Sequence, residues 1–330
     1  MSLQARLRQS ATDMKGIAVA GSILVDRINE ISRYPERSEL TKISRVTLAT
    51  GGCVPNVAID LKRLDPTLPV YAIGRVGRDG DGDFAVSVLE SESVDVSGIV
   101  RSDEKTSFTE VMSEVGGQRT FFTYPGASAE FGDGDVTLDP DAYSIFHLGY
   151  FLLLDRIDAG DGEKLLRRAS EAGIETSIDL VSENSDRYSI VKPVLPLVDN
   201  LIINEIEAGK IVGIEPKEEN IGEIAGALMA LGVRRRVVIH MTSAAYLLSK
   251  DGLSVLPSFA LPKDYIKGTT GAGDAFCAGA LLAISRGLSD REVLEYGQVA
   301  ALGALRAADA VSGMAALGEL EVISKNFKRI

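Results

Sequence analysis

Apolar residues in this chain fall in short runs separated by stretches of helical period, which predicts strands and helices in alternation. Residues 17–25 read as the first strand. Residues 27–49 then alternate loosely, with Ile28, Ile31, Ile43, Val46 and Leu48 among polar neighbours, as short strands do. Val54, Val57, Ala58, Leu61 and Leu64 recur at i, i+3, i+4, i+7 and i+10. That spacing predicts a helix with one buried face, and Pro55 suits its first turn. Two further strands, 110–115 and 118–122, flank Gly116-Gly117, a two-residue hairpin signal. Apolar runs at 70–73, 145–148, 175–179, 200–204 and 236–239 are separated by helical stretches such as 162–172 and 221–231. This order predicts a mainly parallel sheet covered on both faces, with ligands at the carboxyl ends of its strands.

Composition narrows the partners. A chain of 330 residues, 45% of them hydrophobic, buries a large core as one large α/β domain or two ordinary ones. Thirty-five Lys and Arg against 47 Asp and Glu give a net charge of -12 without a basic run, which argues against nucleic acid and anionic membranes. Cys53, Cys277, His147 and His240 show no metal-ligand spacing and no disulfide framework, as expected in a reducing cytoplasm. Residues 1–14 are polar, and a loose tail is expected there. Asp26 and Arg27 follow the apolar stretch 17–25 without a small-residue cleavage pattern, so that stretch is a strand and not a signal peptide. No run of about eighteen apolar residues occurs, so no membrane-spanning helix is expected.

The chemistry concentrates in Lys267-Gly268-Thr269-Thr270-Gly271-Ala272-Gly273-Asp274 and the small-residue helix expected from Asp274 to about Arg286. Glycines 268, 271 and 273 can take positive φ, and a Gly-rich loop running into a helix start is an anion site. The N–H groups of Gly271, Ala272 and Gly273 would hold the anion. Asp274 beside them could accept the proton of an attacking hydroxyl, or could merely cap the helix. No Gly-x-x-x-x-Gly-Lys-[Ser/Thr] and no Gly-x-Gly-x-x-Gly occurs, which disfavours P-loop enzymes and Rossmann dehydrogenases.

Gly51-Gly52-Cys53-Val54-Pro55-Asn56-Val57-Ala58 together with residues 267–280 resembles the two signatures of the ribokinase-like (PfkB) carbohydrate kinases, from about Ile17 to about Gly313. The resemblance implies a three-layer α/β/α fold with a small β-sheet lid, formed by segments at about 27–49 and 105–124 of a single unit spanning 15–322. It implies ATP-dependent phosphorylation of a hydroxyl, expected to be a hydroxymethyl, on a small sugar. Asp274 would be the base, Asp26, Gly51, Gly52 and Asn56 the sugar grip, and Asn204, Glu207 and Thr270 the nucleotide, phosphate and Mg²⁺ contacts, Glu207 in part through water. Asn204-Glu205-Ile206-Glu207 has the spacing of a capping box as well. A homodimer through the lid is also common in such enzymes.

Four departures qualify the match. Gly268 stands where many members carry an aspartate of a monovalent-cation site, which leaves potassium activation open. Residues 240–246, His-Met-Thr-Ser-Ala-Ala-Tyr, lack two glycines usual around the nucleotide. Ser128 replaces a common asparagine, and Asp179 alone remains of a fructokinase-type motif. Two rival readings stand beside the sugar kinase. One is a nucleoside kinase using Phe121, Phe122 and Tyr124 as a base slot; the other is a catalytically silent sugar sensor. His240 and His147, each in an apolar strand, read as structural.

Overall fold

The computed structural model describes residues 15–114, 119–183 and 185–330. The expected tail at 1–14 and the Gly116-Gly117 turn lie outside the described residues. In chain order the strands are β1 (Gly16–Gly21), β2 (Leu24–Ile31), β3 (Ile43–Gly51), β4 (Val70–Gly77), β5 (Asp95–Ser102), β6 (Ser107–Glu114), β7 (Arg119–Tyr124), β8 (Tyr143–Phe151), β9 (Glu175–Leu180), β10 (Asn200–Asn204), β11 (Arg236–His240), β12 (Ala244–Ser249) and β13 (Gly252–Pro257). The α-helices are α1 (Cys53–Leu64), α2 (Gly80–Ser91), α3 (Gly126–Ala129), α4 (Gly162–Glu171), α5 (Glu205–Val212), α6 (Ile221–Ala230), α7 (Ala272–Ser285), α8 (Asp290–Ala304) and α9 (Leu317–Ser324).

Nine strands form the main sheet in the order β13-β12-β11-β10-β9-β8-β1-β4-β5. Its strands pair in parallel except at one end, where β12 and β13 turn back antiparallel. Side chains alternate across β1: Ile17 and Val19 pack with Val57, Leu61, Leu281 and Leu294, whereas Ala18 and Ala20 pack with Leu165, Ala208 and Leu228. Helices α1, α7 and α8 thus cover one face and α4, α5 and α6 the other, a three-layer α/β/α fold.

The strand expected over 17–25 is broken. Gly21 takes φ +140, and a Cβ there would meet the Gly149 carbonyl oxygen at 2.4 Å, so only glycine fits the close approach of β1 and β8. The chain leaves the main sheet at this point and re-enters order as β2 of a second sheet, β3-β2-β6-β7. This four-stranded sheet is the lid. Asp26 is therefore the third residue of a lid strand rather than the end of β1. It lies opposite Ala49 and Thr109, and Thr109 lies opposite Thr123, so these four share one face.

Candidate active site

The start of α7 is built around Gly271, whose φ of +77 places it in the left-handed region and whose Cβ would meet Ala310 Cα at 2.6 Å. Of the three glycines expected to use positive φ, only Gly271 does. Gly268 is needed for space instead, since a Cβ would sit 2.9 Å from the Ala307 carbonyl oxygen. Ala272 also departs from expectation. Its N–H turns back to the Thr269 carbonyl at 3.3 Å, while the N–H groups of Gly271 and Gly273 have no backbone acceptor among the described residues. Of the three donors expected there, two remain at the positive end of a 14-residue helix.

Asp274 lies in that first turn without capping it. Its Oδ2 accepts from Asn56 Nδ2 at 2.8 Å, and Tyr150 Oη lies 2.8 Å from Oδ1 and 2.9 Å from Oδ2. Burial, helped by the charge of Asp179, raises the Asp274 carboxyl from 3.8 to about 7, against the hydrogen bonds of Asn56 and Tyr150 that lower it. The capping alternative is thereby set aside. Asn56, expected to grip a sugar, spends its amide N–H on Asp274 and leaves its buried Oδ1 without a partner.

Tyr150 and Asp179 were not singled out as site residues by sequence reasoning. At the end of β8 the chain holds Tyr150 at φ 63 and Leu152 at φ 80, conformations that cost about 1–3 kcal/mol each. Asp179 Oδ1 accepts the Tyr150 N–H at 2.7 Å and secures the turn. Burial and the neighbouring Asp274 keep the Tyr150 hydroxyl protonated, so it donates to the carboxylate.

On the lid side, Gly51 makes room for Asp26: a Cβ at 51 would lie 2.5 Å from Asp26 Oδ2. Gly52, at φ +88, serves packing, because its Cβ would meet the Ser22 carbonyl oxygen at 2.6 Å. Burial raises Asp26 from 3.8 to about 6, offset by the charge of Arg119 and a bond from Thr109. Arg119, also missed, reaches from β7 across to the loop before α7, donating to Thr270 Oγ1 at 2.7 Å and to the Ala308 carbonyl at 3.1 Å.

Asn204 and Glu207 form the capping box of α5: Asn204 Oδ1 accepts the Glu207 N–H at 2.9 Å, and Glu207 Oε2 accepts the Asn204 N–H at 3.1 Å. Ser182 donates to Glu207 Oε1 at 2.7 Å. Burial raises the Glu207 carboxyl from 4.5 to about 7. Glu207 and Asp274 line one cleft of about 180 Å³ with Asn204, Gly271 and Gly273. Next to it opens an apolar cavity of about 670 Å³ walled by Met241, Phe259, Phe276 and Leu302. His240 lies between the two with its ring 4.9 Å from that of Phe276, and burial pushes its pKa down to about 4, so it is neutral. The glycine-poor segment after β11 is a tight reversal into β12, closed by Met241 N–H to the Ala244 carbonyl at 3.0 Å. Ser128, at the position of the common asparagine, donates to the Ile23 carbonyl and accepts its N–H, tying the β1 exit to α3.

Residues 14–314 match the model of the pfkB family of carbohydrate kinases. A ribokinase of Arabidopsis thaliana is 26% identical over 303 residues, 90% of this chain and 78% of its own. A fructokinase of Vibrio alginolyticus is 25% identical, covering 83% of this chain and 85% of its own. Among solved structures, Thermotoga maritima ribokinase superposes with a TM-score of 0.79 at 20% identity over 94% of this chain and 100% of its own. Arabidopsis thaliana ribokinase complexed with ribose and ATP gives 0.78 at 22% identity, covering 94% of this chain and 99% of its own. The chain belongs to the pfkB family of carbohydrate kinases, phosphotransferases with an alcohol group as acceptor.

Proposed function

We propose that residues 15–322 act as one unit that transfers the γ-phosphoryl group of ATP to a hydroxymethyl group of a small sugar. The observation that carries this reading is Asp274: a buried carboxyl near pKa 7, held by Tyr150 and Asn56 beside the unpaired N–H groups of Gly271 and Gly273. A base so placed takes the acceptor proton as the hydroxyl attacks, and the N–H groups take charge developing on the phosphoryl oxygens. The apolar cavity behind His240 has the size and lining for a nucleobase. Asp26, with Gly51 giving it room, accepts from sugar hydroxyls under the lid. Asn56 acts mainly by holding Asp274.

The oxygen donors around Glu207 suit Mg²⁺. This carboxyl is buried and pushed to about 7, and its hydrogen-bond partners, Ser182 and Asn204, are uncharged. Glu207, with Asn204 fixing it, would hold the ion through water, and bound Mg²⁺ would neutralise phosphate charge. Thr270, already bonded to Arg119, would meet the phosphates from the loop before α7. The outer face of the lid is assigned to a second copy of the chain.

A nucleoside acceptor is the second reading, favoured by Phe121. Val111 lies opposite it and two residues from Thr109, so Phe121 shares the lid face of Asp26, and it is 56% exposed. Phe122 and Tyr124 point to the other face and do not join it. A solved nucleoside kinase of Methanocaldococcus jannaschii superposes at a TM-score of 0.76 and 18% identity. A silent sensor has no use for a tuned base beside an anion site. The test is ATP consumption with Mg²⁺ over a panel of sugars, polyols and nucleosides, with Asp274→Asn as control. One acceptor should drive turnover that falls by ~10²–10⁴-fold in Asp274→Asn while acceptor binding persists. Retained turnover in that variant removes Asp274 as the base.

A further inference from the structure

The two cysteines and the histidine of β8 show no metal-ligand spacing along the chain, yet the fold gathers them in one place. Cys53, at the first residue of α1, His147 of β8 and Asp179 of β9 are all buried, and one potential ligand atom of each lies within 4.8 Å of the other two. Asp179 Oδ2 is 3.4 Å from His147 Nε2 and 3.9 Å from Cys53 Sγ. Cys277 Sγ, from α7, is 3.7 Å from the same Nε2.

The His147–Asp179 separation is long for a good hydrogen bond. Among Cys53, His147 and Asp179 the separations are close to the edges of a tetrahedron around one ion, about 3.3–3.8 Å when the bonds to S, N and O are about 2.0–2.3 Å. The chain also makes room for the sulfur: a Cβ on Gly149 would lie 1.8 Å from Cys53 Sγ. The other ring nitrogen, His147 Nδ1, is 3.0 Å from Ser177 Oγ, which orients the ring and leaves Nε2 facing the cluster. Asp179 and Cys277 line the 180 Å³ cleft, so an ion can enter from the substrate side.

We propose that Cys53, His147 and Asp179 form a three-ligand binding site for a thiophilic divalent ion of the Zn²⁺ class, with a fourth position open toward the cleft, separate from the oxygen-lined position of Glu207. Thiolate and imidazole select such ions, whereas Mg²⁺ takes oxygen. Each thiol that ligates releases its proton to solvent on binding. An ion there joins the start of α1 to β8 and β9. Those three elements carry Asn56, Tyr150 and Asp179, and Asn56 and Tyr150 hold Asp274, so occupancy braces the setting of the base. The inference does not depend on which acceptor the enzyme uses.

Co²⁺ is the probe, added to the reduced full-length chain in the absence of Mg²⁺ and ATP. The expected result is one ion per chain, with thiolate-to-cobalt charge-transfer absorption and the intense visible bands of a tetrahedral site, displaced by Zn²⁺. Zn²⁺ should also raise the thermal midpoint of the wild type. Cys53→Ala should lose the charge-transfer band, and Ser177→Ala, which keeps every ligand, should bind ~10–100-fold more weakly. Absence of thiolate absorption in the wild type overturns the proposal, whatever the variants do. So does a band of equal strength in Cys53→Ala.

Discussion

At the scale of single residues, the site is governed by one carboxyl that burial holds near neutrality. Asp274 has a pKa of about 7, and Tyr150 and Asn56 both lower it from where burial alone would set it. Removing the Tyr150 hydroxyl deletes a bond to a charged group worth about 1.5–3 kcal/mol, and about 1.4 kcal/mol is one pH unit. The acid limb of log kcat/KM should therefore move up by roughly one unit in Tyr150→Phe. An unmoved limb would show that another group controls it. The same shift has a consequence for stability. A carboxyl raised from 3.8 to about 7 contributes stability that is full below the lower value and lost as pH rises through the upper one. Asp274→Asn removes that loss, so its thermal midpoint should exceed the wild type's by ~2 °C or more at pH 8, with the gap narrowing toward pH 5. Calorimetry at the two pH values checks both the sign and the trend.

At the scale of elements, two helix starts meet: α1 brings Asn56 to the Asp274 of α7 across 218 positions. Both starts were legible in the sequence, because each packs its glycines and its polar residue into a few consecutive positions. The mainly parallel sheet was legible for a similar reason, since period and run length are local properties. What could not be read was whatever depends on how distant segments dock. Tyr150 sits in Phe146-His147-Leu148-Gly149-Tyr150-Phe151, which reads as core, and its partner is 124 positions away. Gly21 lies inside the stretch 17–25 that reads as one strand, and the break appears only once β8 rests against it. The capping box at Asn204 and the Mg²⁺–phosphate reading of the same residues share one spacing, and only the geometry shows that the box is formed. Arg119 is the clearest case, because its reach depends on β7 pairing with β6 and on the lid sitting over α7. That reach makes it a latch between lid and anion loop. Arg119→Ala loses two hydrogen bonds, each worth about 1 kcal/mol, so the acceptor KM should rise by up to roughly thirtyfold with little change in thermal midpoint. Arg119→Lys should not restore it, since a single ammonium does not reproduce a planar fork with two partners. Steady-state kinetics on the acceptor named by the panel decides this, and an unchanged KM in Arg119→Ala removes the latch.

At the scale of the whole molecule, the lid is the part least covered by the chain itself. Its two edge strands, β3 and β7, carry most of its exposed apolar side chains: Val46 is 58% exposed, Leu48 49% and Phe122 50%. Register places Leu48 opposite Arg27, Arg27 opposite Glu110, and Glu110 opposite Phe122, so Leu48 and Phe122 share the face turned away from Asp26. Apolar side chains along two edge strands, with the Arg27–Glu110 pair between them, favour a partner that covers both edges, and a net charge of -12 makes a nucleic acid or an anionic membrane a poor one. A second copy offers the same face in two-fold symmetry and covers both at once. Light scattering should then report twice the 35.2 kDa of the chain. Leu48→Glu with Phe122→Glu should return it to the single-chain mass, because two buried carboxylates on each side join a face whose central cation, Arg27, is already paired with Glu110 and Asp81. Neither residue faces Asp26, so any rise in acceptor KM in the double variant reports a lid that has lost its support rather than a damaged site. A wild type that already has the single-chain mass, or a double variant that keeps the doubled mass, rules out the lid as the contact.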